Sequence, residues 1–323
     1  MQATAIAHPN IALVKYWGKT DREQNLPAVG SLSITLDGLA TTTRVRFDPA
    51  IATDQFLFAG KVVPAMTSRV SACLDDIRRR VGTMARAEVE SSNDFPTAAG
   101  LASSASGFAA LVVAADAALE AELSRSDLAE VARRASGSAG RSIFGGFVEL
   151  GLVDSGRQTE THQLLEPSGW PLRVVVAVTA TGPKAVGSTE GMMRTERTSP
   201  FYPAWVASSP ADLGEARAAV KRRDFDALAD VSESSCLKMH GLMMSARPGL
   251  VYWNGTTVEC IRRVRHLRVA GVPVFFTVDA GPQVKAICLP EAFDEVSREM
   301  AAVPGVVEVL TSGLGDGARV IDS

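Results

Sequence analysis

Apolar and polar residues alternate at two different periods along this chain, and the changes of period mark out its elements. A period of two runs through Ser31-Leu32-Ser33-Ile34-Thr35-Leu36, and a β-branched run follows at 41–47, so residues 3–48 predict strands of an N-terminal sheet. From 68 to 81 the apolar residues Val70, Leu74, Ile77 and Val81 recur at helical spacing. Residues 106–119 are small and apolar on all sides, the pattern of a buried helix. Ser126 is placed as the N-cap of a further helix that runs to about Ala135, with Glu130 one residue past the capping-box position.

A strand at 146–153 is followed by a polar stretch, 154–169, that suits a loop or hairpin. A strong strand at 172–180 opens the second half, and the boundary is set there: an N-terminal domain 1–178 and a C-terminal domain 179–323. The order that follows is a long helical region (210–246, then 256–269), strands 272–278 and 284–289, a helix 290–302 and a strand 306–310. That order predicts an α+β sandwich with helices on one face of an antiparallel sheet.

Composition narrows the function classes. With 33 basic and 36 acidic residues interleaved, the formal charge of -3 offers no broad cationic face for nucleic acid or an anionic membrane, so any anion is held locally. The four cysteines, Cys73, Cys236, Cys260 and Cys288, lie far apart in apolar surroundings with no metal-ligand spacing, which fits a reduced, cytoplasmic chain. No signal-peptide pattern opens the chain and no apolar stretch reaches the roughly 20 residues of a membrane span, so neither export nor anchoring is expected.

Four segments have the makings of a site. Residues 95–107, Phe-Pro-Thr-Ala-Ala-Gly-Leu-Ala-Ser-Ser-Ala-Ser-Gly, lead small residues and hydroxyls into the buried helix. Free N–H groups at a helix start and the hydroxyls of Ser103, Ser104 and Ser106 suit a phosphate, and a tightly packed helix start accounts for the composition equally well. Neither a Walker motif nor a GxGxxG fingerprint occurs. In Ser136-Gly137-Ser138-Ala139-Gly140-Arg141-Ser142 a guanidinium sits among small residues, either as a bidentate anion contact or as a surface arginine beside a turn. In Asn10-Ile-Ala-Leu-Val-Lys15-Tyr16-Trp17-Gly18-Lys19 two lysines flank aromatics, which suits a polyanion with an apolar body or two snorkelling side chains at a strand end. Phe275-Phe-Thr-Val-Asp279-Ala-Gly-Pro282 ends an apolar strand at a carboxylate, either ordinary turn chemistry or a partly desolvated base.

Together, in this order, the four segments resemble the signatures of the diphosphomevalonate decarboxylases, a branch of the GHMP kinase superfamily. Ser188-Thr189-Glu-Gly-Met192, Arg69 and Met239-His-Gly support the resemblance. It implies a two-domain GHMP-kinase-like α+β fold, with a ribosomal-protein-like N-terminal α/β domain, a ferredoxin-like C-terminal sandwich and the active site between them. It also implies the use of ATP and Mg2+ to phosphorylate the 3-hydroxyl of 5-diphosphomevalonate, with loss of phosphate and carbon dioxide to give isopentenyl diphosphate, and commonly a homodimer.

By the same resemblance, Asp279 takes or orients the hydroxyl proton, Lys15 lies beside it and Arg141 binds the substrate carboxylate. Ser104, with Ala98, Ala99, Gly100, Leu101, Ala102, Ser103 and Ser106, cradles the ATP phosphates, with residues 91–94 as a neighbour on the nucleotide side. Tyr16, Trp17, Gly18, Lys19, Arg69, Ser136, Gly137, Ser138, Ala139, Gly140, Ser188 and Thr189 enclose the substrate. No residue is assigned to the metal. Two positions depart from the family pattern: Val29-Gly30-Ser31 stands where Asn-Ser-Ser is common, and Gly140 where a cysteine is. The first leaves a 5-monophosphate substrate as an alternative; a kinase that does not decarboxylate is a further alternative within the resemblance, against which the set of Asp279, Lys15 and Arg141 argues.

Overall fold

The computed structural model describes residues 1–95, 103–182 and 184–322. Its first half runs β1 (Gln2–Ala7), β2 (Asn10–Val14), the short pair β3 (Lys19–Asp21) and β4 (Leu26–Pro27), β5 (Ser31–Thr35), β6 (Thr41–Asp48), β7 (Gln55–Phe58) and β8 (Lys61–Val62). Next come α1 (Pro64–Val81), β9 (Arg86–Asn93), α2 (Ser103–Leu119), α3 (Arg125–Ala135), a 3-10 turn at Ala139–Ile143, β10 (Phe147–Val153) and β11 (Gln158–Leu165). The second half holds β12 (Arg173–Val178), α4 (Ser188–Thr198), α5 (Tyr202–Arg222), α6 (Phe225–Met244), α7 (Gly255–Val269), β13 (Val274–Val278), β14 (Val284–Cys288), α8 (Phe293–Ala301), β15 (Glu308–Ser312) and β16 (Arg319–Asp322).

Three sheets organise these elements: six strands in the order β16-β1-β6-β9-β7-β8, four as β11-β10-β5-β2, and four as β13-β14-β12-β15. The alternation along β6 buries Thr41, Thr43, Val45 and Phe47 on one face, and α2 lies across β1 and β6 there. Small residues let α2 sit this close, and nearly all of its side chains are buried. Helix α1 buries Val70, Cys73, Leu74 and Ile77 on one stripe and ends at Gly82, which takes the left-handed conformation (φ 71°) open to a residue without Cβ. The third sheet packs against α7 and α8 through Val264, Phe276, Val296 and Met300. A core of Leu32, Ile34, Phe147, Val174, Leu213, Leu228 and Phe275 joins the second and third sheets.

Several expectations change. Sheet membership switches between Leu165 and Arg173, so β12 belongs with β13 to β15 rather than with the first 178 residues, and the terminal β16 returns to pair with β1 in the first sheet. Ser124, not Ser126, caps α3, its side chain accepting the N–H of Asp127, while Glu130 pairs with Arg133 and Arg134. The stretch 154–169 contains β11, the partner of β10, as the hairpin reading had it. The helical region 210–246 is two helices, broken where Arg223 turns left-handed (φ 55°), and α5 starts earlier, at Tyr202, with Pro210 inside it. Helix α4 escapes the pattern analysis because only Gly191, Met192 and Thr195 of its residues are buried, too few to make a stripe.

Candidate active site

The ends of β2 and β13 meet at the floor of a cleft of about 1130 Å³. Helix α6 aligns them from below. The Ser235 hydroxyl accepts the backbone N–H of Lys15 at 3.0 Å, while Cys236 and His240 contact the backbone of Val278, the residue before Asp279. Asp279 therefore follows the last residue of an apolar strand whose end is fixed on both sides.

Two lysines hold that carboxylate. Lys15 Nζ donates to Oδ1 at 2.7 Å and to the Ala12 carbonyl at 2.8 Å, and Lys285 Nζ, on β14, lies 3.2 Å from Oδ2. The lysine side chains are 1% and 2% exposed, whereas Asp279, at 31%, faces the cleft. Enclosure alone raises the carboxyl, but Lys15 and Lys285 outweigh it and hold Asp279 well below the usual carboxylate range. Burial lowers Lys285, and Asp279 opposes that shift.

Arg141, 3% exposed on the 3-10 turn, points its guanidinium at the same space. Its Nε and Nη2 donate to Asn10 Oδ1 at 3.2 and 3.0 Å, and Nη1 to the Ser31 hydroxyl. Asn10 is itself fixed by donating to the Ser138 carbonyl at 3.0 Å and the Ser142 hydroxyl at 2.8 Å. Every hydrogen-bond partner of Arg141 among the described residues is neutral, and burial lowers it to about 10. Three buried cations, Lys15, Lys285 and Arg141, thus stand against one carboxylate, an arrangement with room for incoming negative charge.

At the outer end, Lys19, Arg22, Arg69 and Arg194 line the cleft. Burial lowers Lys19, and the neighbouring charges of Arg69 and Arg22 add to the effect. The Tyr16 hydroxyl is buried with no hydrogen-bond partner among the described residues, and its burial pushes it up to about 12. Gly137 makes room for it, since a Cβ there would fall 2.5 Å from that hydroxyl. Lys184 donates to the Ser188 hydroxyl and the Ala280 carbonyl, both at 2.9 Å, and so ties the loop before α4 to the residue after Asp279.

Of the residues expected from the sequence, Lys15, Tyr16, Trp17, Lys19, Arg69, Ser103, Ser104, Ser136, Gly137, Ser138, Arg141, Ser188, Thr189 and Asp279 line this one cleft. Ala98, Ala99, Gly100, Leu101 and Ala102 lie outside the described residues. Four do not line it. Ser106 lies on the buried face of α2, its hydroxyl 2.6 Å from that of Thr41, and Ala139 is core. Gly140 packs on α3, where a Cβ would meet the Ala129 carbonyl at 2.6 Å, so the cysteine of the family pattern has no room. Gly18 (φ 103°) backs onto the Tyr202 hydroxyl. Residues 91–94 are tied into the sheet, Ser91 to Thr43 and Asp94 to the Ala40 N–H, and are not part of the lining.

Trp17 borders the cleft from the core side, its indole N–H donating to Thr195 at 2.8 Å. Sequence reading missed Lys285, Asn10, Lys184, Arg22 and Arg194. A lysine inside the apolar run 284–289 and an asparagine opening the apolar strand 10–14 were the available signals for the first two, since buried polar residues need partners. The others stand on surface segments without a pattern.

Comparison with known proteins follows this geometry. The family model for the diphosphomevalonate decarboxylase-like N-terminal domain matches residues 7–161, and that for the mevalonate 5-diphosphate decarboxylase C-terminal domain matches 174–311. The diphosphomevalonate decarboxylase of Candida albicans is 36% identical over 297 residues, covering 87% of this chain and 82% of its own. The human diphosphomevalonate decarboxylase is 36% identical over 93% of this chain and 79% of its own. Among solved structures, the complex of MDDEF with MVAPP, AMPPCP and magnesium superposes with a TM-score of 0.92 at 36% identity, covering 100% of this chain and 99% of that one. The mevalonate diphosphate decarboxylase of Staphylococcus aureus gives a TM-score of 0.93 at 36% identity, covering 99% and 98%.

Proposed function

We propose, for a chain that belongs to the diphosphomevalonate decarboxylase family, the ATP-dependent conversion of 5-diphosphomevalonate to isopentenyl diphosphate, ADP, phosphate and carbon dioxide. The protein is an enzyme of that decarboxylating class. The observation that carries the residue roles is Asp279, bonded by Lys15 and Lys285 and sharing the floor of the cleft with Arg141.

Each role follows from a position. Asp279 accepts the hydrogen bond of the substrate 3-hydroxyl and orients its oxygen for phosphoryl transfer. A carboxylate held so far below its usual range is a weak proton sink, and a loose transition state asks more for orientation than for a strong base. Arg141 takes the substrate carboxylate, with its fork already set by Asn10. Lys19, Arg22 and Arg69 receive the diphosphate, with Ser136, Ser138, Ser188 and Thr189 as further donors along the wall. As phosphate leaves, positive charge grows at the tertiary carbon. A cleft that keeps the carboxylate aligned and limits access of water favours loss of carbon dioxide over water capture.

Ser103 and Ser104, at the start of the described part of α2, face the triphosphate of ATP. No cluster of three His, Cys, Asp or Glu side chains suited to a metal occurs among the described residues, so magnesium would be held by the phosphates with Ser104. Bound there, it supplies neutralisation of charge on the phosphates. A homodimer in the cytoplasm is part of the same proposal and rests on the family resemblance; no described helix is long and apolar enough to cross a membrane.

The departures from the family pattern do not favour the monophosphate. Gly30 is backed by Leu213 and the Leu150 carbonyl, and neither Val29 nor Gly30 lines the cleft, whereas the cation-rich outer end suits a diphosphate. The test is ATP-dependent release of labelled carbon dioxide from carboxyl-labelled mevalonate, its 5-phosphate and its 5-diphosphate, beside ADP formation. Release from the diphosphate alone is expected. ADP without carbon dioxide makes the protein a kinase, and release chiefly from the monophosphate moves its place in the pathway.

A further inference from the structure

Lys285 comes from β14, a strand that none of the four signature segments includes, and yet its ammonium reaches the carboxylate on which the proposed reaction turns. Val284 and Ala286 beside it are buried in the core under the third sheet, and Lys285 passes through the opposite face to Asp279 Oδ2 at 3.2 Å, 2% exposed. The only other acceptor it meets among the described residues is the Gln283 carbonyl, at 3.4 Å. A lysine desolvated to this degree is costly unless paired, and one ammonium, that of Lys15, already pairs Asp279. A second is redundant for neutralising one carboxylate but not for fixing it. With Lys15 on Oδ1 and Lys285 on Oδ2, the carboxylate plane cannot rotate about its terminal bond without losing an ion pair, and each oxygen keeps a lone pair for the substrate.

We infer that Lys285 is a positioning residue for phosphoryl transfer: it locks the orientation of the Asp279 carboxylate while the substrate hydroxyl is aligned. The inference rests on the function proposed above. Six groups surround Asp279: Lys15 at the end of β2, Lys285 of β14, Arg141 of the 3-10 turn, Lys184 of the loop before α4, and Cys236 and His240 of α6. Burial holds His240 neutral, at about 3, and pushes Cys236 up, so within this group the cations set the charge that Asp279 feels.

Removing one cation raises Asp279 towards its ordinary range, which still lies below pH 5, so the expected loss is one of orientation and not of charge. Lys285→Met keeps the length, removes the charge, and leaves Asp279 paired with Lys15, so the fold is expected to hold. The measurement is kcat and KM for mevalonate diphosphate and for ATP from pH 5 to 8.5, on wild type, Lys285→Met and Lys285→Arg. Thermal midpoints and affinity for a non-hydrolysable ATP analogue serve as fold controls. Lys285→Met is expected to lose about 10- to 100-fold in kcat with both KM values within about threefold, since a misaligned group costs turnover more than binding. Lys285→Arg, which keeps a cation beside Oδ2, should recover part of the loss. Unchanged turnover, or KM values that rise in step with the fall in kcat, overturns the inference. Should Lys285→Met fail to fold, the uncharged, polar Lys285→Gln takes its place in the same comparison of kcat and KM. A wild-type protein that does not turn over mevalonate diphosphate would defeat the underlying functional reading instead.

Discussion

The hydroxyl of Ser235 receives the main-chain N–H of Lys15 at 3.0 Å, across 220 residues of sequence, and so a helix of the second half sets the end of a strand of the first. The next residue, Cys236, brackets the backbone of Val278, one residue before Asp279. One turn of α6 thus measures the separation of Lys15 and Asp279. Ser235→Ala leaves a buried N–H without an acceptor, expected to cost about 1–3 kcal/mol of stability and to lower kcat as the ion pair loosens. Denaturant unfolding beside steady-state kinetics checks this, and an unchanged kcat in a destabilised protein would show that α6 supports the fold without setting the pair.

Asp279→Ala is expected to abolish turnover, by about 10²- to 10⁴-fold or more, while sparing nucleotide binding. It also leaves Lys15 and Lys285 buried without their anion, so the thermal midpoint should fall as well. Calorimetry with an ATP analogue separates the two effects. An equal loss of nucleotide affinity contradicts the role given to Asp279.

For Arg141→Lys, an ammonium cannot reproduce the fork that clasps Asn10 and Ser31. Decarboxylation should fall by about 10- to 1000-fold in kcat/KM, more than ADP formation does, because the carboxylate loses its planar partner. Parallel measurement of carbon dioxide and ADP decides it, and near-normal release of carbon dioxide would place Arg141 away from the substrate.

Gly137→Ala tests the outer wall. The new Cβ would fall 2.5 Å from the Tyr16 hydroxyl, the mobile end of a side chain, so the ring shifts and the backbone stays. KM for the diphosphate is expected to rise several-fold, with the thermal midpoint within a few degrees of wild type. A large loss of stability with an unaltered KM would mean that Tyr16 is packing and not cleft lining.

His240 gives stability a pH dependence of known sign. Burial lowers its folded pKa to about 3 from the ordinary value of 6.5, so in between the unfolded chain binds the extra proton. Its contribution is complete above the unfolded value and is lost as pH falls from there towards 3, at up to about 1.4 kcal/mol per pH unit. Asp279, depressed from its ordinary value of 3.8, has its contribution in place above that value and loses it only at lower pH, and comparison with His240→Gln separates His240 from Glu233, whose carboxyl burial raises, between pH 6.5 and 4. The thermal midpoint of wild type should fall across that interval, and that of His240→Gln should fall less. Parallel curves would mean that His240 is not the group responsible.

Much of the fold was legible because its elements keep one period each. The alternation at 31–36, the stripe of α1 and the small-residue run of α2 all appear where their patterns predict them. Ser124 was passed over for Ser126 because both are serines ahead of an apolar residue, and only the loop geometry chooses between them. The break at Arg223 has no glycine or proline to announce it. Strand β12 was assigned to the wrong side of the boundary because its apolar run, Val174 to Val178, says that it is buried and not which sheet buries it.

By itself the sequence determined the class of most long elements, α4 and β9 excepted, and the segments in which Lys15, Arg141 and Asp279 would be found. These are local properties, written in the spacing of neighbouring residues and in short runs of fixed wording. Tertiary structure alone decided that β2, β13 and β14 end at one point, that Lys285 is the second cation on Asp279, that Asn10 sets the fork of Arg141, and that Ser106 and Gly140 serve packing. Those relations join residues more than a hundred positions apart through packed sheets, except for Lys285, Ser106 and Gly140, where burial and facing settle the matter. A side chain's direction depends on which face the core covers, and no residue's own neighbours in sequence fix that.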